Sequence, residues 1–230
     1  MRDLALTLAL APILIPQVAW VRFRAARLQE AAGPREGVAG NGPGLRLLVL
    51  GDSSAAGVGV AHQEDALTGR LVARPAQRHQ VRWRLAARCG ATTTTVLQSL
   101  KAEPEAQFDI AVIALGVNDS KNGMSRSRWQ KNYKDLITLL QTRFGLRAVY
   151  ATAVPPLGEF PLLPAPLRTA LGRRATLFDN DLRSIAEAHD AVNYVPFDFP
   201  MDTNLMAEDG FHPGPVIYDR WAERVADMIG

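Results

Sequence analysis

Short apolar runs alternate with helical stretches along most of the chain, and this alternation constrains the fold more than any other feature. Strands that are separated by helices form a parallel sheet with helices on both faces. The predicted strands are residues 45–50, 81–86, 108–115, 146–151 and 192–195. The predicted helices are residues 64–72, 93–101, 126–144, 167–188 and 216–229. The sequence therefore predicts an α/β domain built on about five parallel strands.

The first predicted strand runs directly into Gly51, Asp52 and Ser53, which small residues and glycines follow. In an open α/β sheet, ligands and catalytic side chains collect at the carboxyl ends of the strands. A serine at the start of the next helix also lies among unpaired backbone N–H groups, so Ser53 is placed where a nucleophile is useful. The alternative role of Ser53 is a helix N-cap, and Asp52 is predicted to fix the turn.

Three further polar loops are predicted at strand ends or before the last helix. Gly90 follows the second strand, Asn118 follows the third, and Asp209 and His212 precede the last helix. A serine nucleophile needs a general base. A neutral histidine supplies one when an acceptor such as a carboxylate holds its other ring nitrogen. Because Asp209 and His212 are close in sequence, they can meet within their own loop.

These loops resemble the four sequence blocks of the SGNH hydrolases, the GDSL-type esterases and lipases. The resemblance implies that Ser53 is the nucleophile, His212 the base and Asp209 its orienting acid. It implies an oxyanion hole made of the backbone N–H groups of Ser53 and Gly90 and the side-chain amide of Asn118. It also implies a three-layer α/β/α, flavodoxin-like fold, with no metal and no organic cofactor.

The sequence departs from the family's pattern at three positions. Ser54 stands where the first block usually has Leu or Ile. In the second block, Arg88 stands where Asn is usual and Thr93 where a second Gly is usual. The role of Gly90 survives these changes because it acts through its backbone.

Other interpretations stay open for several residues. Asp202 and Glu208 are alternatives for the acid that orients the histidine, and Asp119 is predicted to be structural. Gly57 and Gly59 begin the Gly-x-Gly-x-x-Gly pattern of phosphate-binding loops, although His62 stands at the position of its third glycine. A nucleotide- or ligand-binding module is therefore the alternative outside the enzymes.

The predicted function is a serine esterase that hydrolyses carboxylic esters of short to medium acyl chains through an acyl-enzyme intermediate. Residues 153–166 after the fourth strand are apolar and rich in proline. Further apolar residues precede the catalytic loop: Phe197, Phe199, Met201, Leu205 and Met206. An apolar rim suits acyl chains better than bare sugars, and loops packed on the core are the alternative explanation. The alternative enzymes are a carbohydrate O-acetylesterase, a lysophospholipase and a thioesterase.

Residues 4–21 carry no charge and, as a helix, would extend about 27 Å, close to the hydrocarbon thickness of a bilayer. Trp20 followed by Arg22, Arg24 and Arg27 is typical of a membrane interface with a cytoplasmic anchor. The sequence therefore predicts membrane contact through this segment, with the catalytic domain in the cytoplasm. The alternatives are export to the periplasm, or a soluble protein with the helix docked on this or another protomer.

The predicted organisation has three parts: an apolar helix in residues 1–30, a Gly- and Pro-rich linker in 31–44 and a hydrolase domain in 45–230. The net charge of +3 comes from arginines scattered among acids rather than from a basic block, which disfavours nucleic acid as a partner. The predicted partner is a small-molecule ester, and no oligomeric state is predicted. Cys89 is the single cysteine, so an intrachain disulfide is excluded.

Overall fold

The computed structural model describes residues 2–25 and 28–230, and within these ranges it contains one six-stranded sheet and seven α-helices. The strands are β1 (Glu36–Ala39), β2 (Gly44–Gly51), β3 (Gln80–Ala87), β4 (Ile110–Ala114), β5 (Ala148–Thr152) and β6 (Val192–Val195). The helices are α1 (Arg2–Ala25), α2 (Leu67–Ala73), α3 (Thr93–Ala102), α4 (Val117–Lys121), α5 (Arg126–Phe144), α6 (Leu167–Glu187) and α7 (Pro215–Ile229).

The strands lie in the order β1-β3-β2-β4-β5-β6. Strands β2 to β6 pair in parallel, so the five parallel strands have the order 2-1-3-4-5 that is typical of flavodoxin-like proteins. Helix α2 packs against α7, whereas α3, α5 and α6 pack side by side. The predicted three-layer α/β/α, flavodoxin-like fold is confirmed.

Local sequence explains why these elements form. Strand β4 has the sequence IAVIA and is buried along its whole length, as expected for a central parallel strand that helices cover on both faces. Helix α5 begins after Ser125, whose side chain accepts a hydrogen bond from the backbone N–H of Arg128. The helix ends at Gly145, which has φ +68° and adopts the left-handed conformation that favours glycine. Both ends coincide with the prediction.

Strand β1 lies inside residues 31–44, which the composition predicts to be a linker. It pairs antiparallel with β3, with Glu36 opposite Arg84. Just before it, the backbone N–H of Ala32 donates to the carbonyl of Ala61 at 2.9 Å. A four-residue edge strand needs only backbone pairing, so a Gly- and Pro-rich stretch without periodicity can form one. The segment therefore packs along the domain that it was predicted to connect.

Helix α1 rests on the amino-terminal end of α6. The side-chain amide of Gln17 donates to the carbonyl of Ala165 at 2.8 Å, and its oxygen accepts from the backbone N–H of Leu167 at 3.2 Å. Among the described side chains of the helix, five large apolar ones remain exposed: Ile13, Ile15, Val18, Trp20 and Phe23. Across the described ranges, none of the helices combines the length and apolarity needed to span a bilayer. The predicted membrane contact through residues 4–21 and the predicted localisation stay predictions.

Candidate active site

The predicted nucleophile Ser53 lies at the switch point of the sheet. The chain passes from β2 to β3 in one direction and from β4 to β5 in the other, and the crevice between β2 and β4 is where ligands bind in such sheets. Ser53 follows the end of β2, and Asn118 follows the end of β4. The backbone N–H of Asp52 donates to the carbonyl of Ala114 at 3.2 Å and joins the two strand ends.

The turn that presents Ser53 requires glycine at its start. A Cβ atom on Gly51 would lie 2.4 Å from the Cβ of Ala55 and 2.9 Å from the carbonyl oxygen of Ala114. The next residue stabilises the turn, because Asp52 Oδ1 accepts a hydrogen bond from the backbone N–H of Ser54 at 3.0 Å. The chain can therefore bend away from β2 at this point and leave the Ser53 side chain at the edge of the sheet.

His212 lies within hydrogen-bond distance of both other residues predicted to form the triad, Ser53 and Asp209. His212 Nε2 is 2.9 Å from Ser53 Oγ, and His212 Nδ1 is 2.6 Å from Asp209 Oδ2. The other oxygen of Asp209 accepts from the backbone N–H groups of Phe211 at 2.9 Å and His212 at 3.0 Å. Because a carboxylate faces Nδ1, that nitrogen carries the proton, which leaves the Nε2 lone pair free to accept the hydroxyl proton of Ser53.

The two other acids considered from the sequence lie elsewhere. Asp202 is exposed, and its Oδ1 accepts hydrogen bonds within its own loop from Thr203 Oγ1 and the backbone N–H of Asn204. Glu208 is also exposed. The structure therefore brings Asp209, and neither alternative, to the ring of His212.

The carboxylate of Asp209 has a lowered pKa. Burial alone would raise it, but the side-chain hydrogen bond and charge interaction with His212, together with the backbone N–H groups of His212 and Phe211, outweigh burial. A lowered pKa in the folded state contributes stability above the ordinary value of 3.8, and this contribution is lost as the pH falls through the folded-state pKa.

We therefore expect the free energy of unfolding of the parent, relative to Asp209→Asn, to decrease as the pH falls below about 3.8. The variant lacks the titrating carboxyl, so the contribution of this carboxyl is present only in the parent. Urea unfolding of both proteins at neutral pH and in this acidic range measures it. A difference that is the same at every pH would contradict the lowered pKa.

Two of the three predicted oxyanion donors are unoccupied. In the part of the chain that the structure describes, no acceptor takes a hydrogen bond from the backbone N–H of Ser53 or of Gly90. Gly90 has φ +76° and is exposed, in a turn that Ala91 closes by donating to the carbonyl of Arg88 at 3.2 Å. Free N–H groups are suited to stabilising a developing oxyanion where they face the reacting carbonyl.

The third predicted donor, the amide of Asn118, is already engaged. Its Nδ2 lies 2.9 Å from the carbonyl oxygen of Ala91 and 3.2 Å from Asp52 Oδ2. The residue is buried in α4, a five-residue helix that is too short to be recognised from periodicity and was predicted to be a loop. Both amide hydrogens have acceptors, so an oxyanion would have to compete with the Asp52 carboxylate for one of them.

Two buried carboxylates contact residues of this region: Asp52 contacts Asn118, and Asp119 contacts Thr93. Burial raises the pKa of Asp52, and the backbone N–H of Ser54 partly opposes this effect. Burial also raises the pKa of Asp119 to about 6, against hydrogen bonds from Thr93. Asp119 contacts the backbone N–H and the hydroxyl of Thr93, in keeping with its predicted structural role. The sequence analysis did not identify Thr93 as a contributor to the site.

An apolar cavity adjoins Ser53. Its lining combines residues from the loops after β4 and β5, the loop before α7 and α7 itself. The apolar side chains are Ala114, Leu115, Val117, Ala153, Pro155, Phe160, Phe197, Met201, Met206, Phe211, Pro213, Ile217 and Trp221. Asp52 is the only charged side chain among the described lining residues. Of the apolar residues predicted to rim the site, Phe197, Met201 and Met206 line this cavity, whereas Phe199 and Leu205 do not.

Close packing explains why residues 57 and 59, the two glycines that suggested a phosphate-binding loop, are glycines. A Cβ on Gly57 would lie 2.6 Å from the Cβ of Ala31, and one on Gly59 would lie 2.3 Å from the carbonyl oxygen of Pro213. Gly59 therefore lets the turn after Ser53 approach the loop that carries His212.

Among the residues that the structure describes, no three His, Cys, Asp or Glu side chains are grouped to hold a metal ion.

A flavodoxin-like sheet with a hydrogen-bonded serine, histidine and aspartate at its switch point defines a class, the hydrolases that carry a serine site on a three-layer α/β/α fold. The model of the GDSL-like lipase/acylhydrolase family matches residues 49–220. The chain belongs to this family and is a carboxylic ester hydrolase of the esterase and lipase type.

Solved structures with the same fold include several esterases. Esterase EstA from Pseudoalteromonas sp., in a structure inhibited by monoethylphosphonate, is 22% identical with a TM-score of 0.60, over 80% of this chain and 96% of that one. TesA is 23% identical with a TM-score of 0.63, over 80% and 97%. The acetylxylan esterase Axe2 from Geobacillus stearothermophilus is 15% identical with a TM-score of 0.60, over 82% and 95%. At these identities the likeness concerns the fold. No curated protein sequence matches the chain.

Proposed function

We propose that the protein hydrolyses carboxylic esters of short to medium acyl chains and that it acts through an acyl-enzyme intermediate on Ser53. The observation that carries the proposal is the 2.9 Å contact between Ser53 Oγ and His212 Nε2 beside a cavity with an apolar lining. An activated hydroxyl supplies the nucleophile, and an apolar cavity binds a hydrocarbon chain better than a hydroxylated sugar.

In the proposed first step, Ser53 Oγ attacks the ester carbonyl while His212 Nε2 takes the hydroxyl proton. Asp209 keeps the proton on Nδ1 and stabilises the imidazolium that forms. In this step the free backbone N–H groups of Ser53 and Gly90 bind the oxyanion. The side-chain amide of Asn118 becomes a third donor when it turns away from Asp52. The tetrahedral intermediate collapses, and the leaving alcohol takes the proton from Nε2.

In the proposed second step, water attacks the acyl carbon while His212 again accepts a proton. Collapse of the second tetrahedral intermediate breaks the bond to Ser53 Oγ, which recovers its proton from Nε2, and the carboxylic acid is released. The same base serves both steps, so the site returns to its starting protonation state.

A series of p-nitrophenyl esters with acetyl, butyryl, octanoyl and palmitoyl chains tests the substrate class, with acetylated xylan in parallel. We expect kcat/KM to be highest for butyryl or octanoyl esters, because each methylene that enters an apolar cavity contributes about 0.8 kcal/mol. Activity confined to acetylated carbohydrate would overturn the proposal in favour of a carbohydrate O-acetylesterase. Activity confined to thioesters or to lysophospholipids would likewise overturn the proposal, in favour of a thioesterase or a lysophospholipase.

Narrowing the cavity is expected to change chain-length preference. Ala153 is buried and lines the cavity, so Ala153→Leu occupies space that an acyl chain would use. We expect kcat/KM for the octanoyl ester to fall about tenfold while that for the acetyl ester stays within about twofold. Ala170→Leu, at an exposed position of α6, is the matched control and should leave both values unchanged. Equal losses on both esters would argue against binding of the chain in this cavity.

A further inference from the structure

Thr93 lies at the first position of α3, close after the turn that carries Gly90, and is fully buried. Its backbone N–H donates to both carboxylate oxygens of Asp119 at 3.1 Å. Its hydroxyl lies 3.1 Å from Asp119 Oδ2 and donates to it. A single threonine therefore makes two kinds of contact with one carboxylate, through its backbone and through its side chain.

The same hydroxyl also receives a hydrogen bond from a second helix. Nε1 of Trp129, a fully buried residue of α5, donates to Thr93 Oγ1 at 3.1 Å. Because a hydroxyl has one hydrogen and two lone pairs, Thr93 can accept from Trp129 and donate to Asp119 at the same time. The hydroxyl therefore links α3, α4 and α5 at one buried point.

Two successive residues of α4 hold the segment that follows Gly90. Asn118 contacts the carbonyl oxygen of Ala91, and Asp119 contacts Thr93. Thr92 caps α3 between these two contacts, because its side chain accepts from the backbone N–H of Thr95. The carboxyl-terminal side of the Gly90 turn is thus fastened to the helix that carries Asn118, whereas Gly90 itself is exposed.

We propose that Thr93 is a positioning residue, whose side-chain hydroxyl holds the Gly90 turn against α4 and so sets the distance between the oxyanion donors. The inference rests on the proposed function. The Gly90 turn is therefore fastened to α4 through the Thr93 hydroxyl as well as through backbone groups.

Thr93→Val tests the proposal, because valine keeps the shape of threonine and removes the hydroxyl. We expect kcat on p-nitrophenyl butyrate to fall about tenfold with KM within about twofold, since a displaced donor weakens transition-state binding rather than ground-state binding. Thr93→Ser restores the hydroxyl and should recover at least about half of the parent kcat. Rates are expressed per active site, titrated with a serine-reactive phosphonate, so that unfolded protein does not contribute.

Thr68→Val is the matched control. Thr68 is also buried, but its hydroxyl has no hydrogen-bond partner among the described residues, and it lies on α2. Its replacement should leave kcat and KM unchanged. If Thr93→Val does not fold, Asp119→Asn provides the second measurement. The asparagine amide would place its N–H groups opposite the donors of Thr93, so the contact with Thr93 would be weakened. The same selective loss of kcat is expected.

Parent values of kcat in Thr93→Val, or a Thr93→Ser variant as impaired as Thr93→Val, would overturn the inference. A loss that appears only in thermal stability, with kcat per active site unchanged, would do so as well. These results differ from failure of the proposed function, in which the parent itself would show no ester hydrolysis that depends on Ser53.

Discussion

Ser53→Ala is expected to lower kcat for hydrolysis of p-nitrophenyl butyrate by about 10⁴- to 10⁶-fold. The hydroxyl that the variant lacks is the group 2.9 Å from His212 Nε2, so no covalent acyl-enzyme can form. The remaining donors and the cavity still bind the ester, and a small residual rate through direct attack by water is expected. Steady-state rates of the purified variant provide the measurement, and labelling by a serine-reactive phosphonate should be lost in parallel.

Ser184→Ala is the matched control for this prediction. Ser184 is an exposed residue of α6 whose hydroxyl donates to the carbonyl of Asn180, so the same substitution there should leave the rate unchanged. A Ser53→Ala enzyme that hydrolyses the ester as fast as the parent would show that the assignment of the nucleophile is wrong. Phosphonate label that maps to another residue would lead to the same conclusion.

Asp209→Asn is expected to lower kcat by about 10⁴-fold with little change in KM. Oδ1 of Asp209 accepts two backbone N–H groups, so the asparagine oxygen is expected to keep that position and its NH₂ group to face His212 Nδ1. An N–H group facing Nδ1 moves the imidazole proton to Nε2. Nε2 would then be a donor and could not take the proton of Ser53.

Rates for Asp209→Asn should be compared with those of Asp202→Asn and Glu208→Gln, which alter exposed acids in the same region. The two control variants are expected to keep the parent rate, since neither side chain contacts His212. A loss in either control as large as that in Asp209→Asn would assign the orienting acid to the other residue.

The sequence predicted the sheet because each central strand carries its burial pattern in its own residues. Strand β4 is an uninterrupted apolar run, and α5 has a serine before its first turn and a glycine after its last. The polar loops were predicted for a similar reason, because Ser53 and His212 each belong to a short sequence motif that can be recognised without the rest of the chain. Strand β1 was missed because it lies in a Gly- and Pro-rich stretch without an apolar run, and helix α4 was missed because five residues are too few to show a helical period.

What the sequence determined by itself was therefore local: which residues form strands and helices, and which polar residues lie at their ends. The tertiary structure alone decided how these ends meet. Ser53 and His212 are 159 positions apart, and only the strand order and the packing of the last loop on Gly59 bring Oγ and Nε2 to 2.9 Å. The amide of Asn118 likewise turns toward Asp52 and Ala91 because buried acceptors need donors, and such pairings depend on neighbours that are remote in the chain.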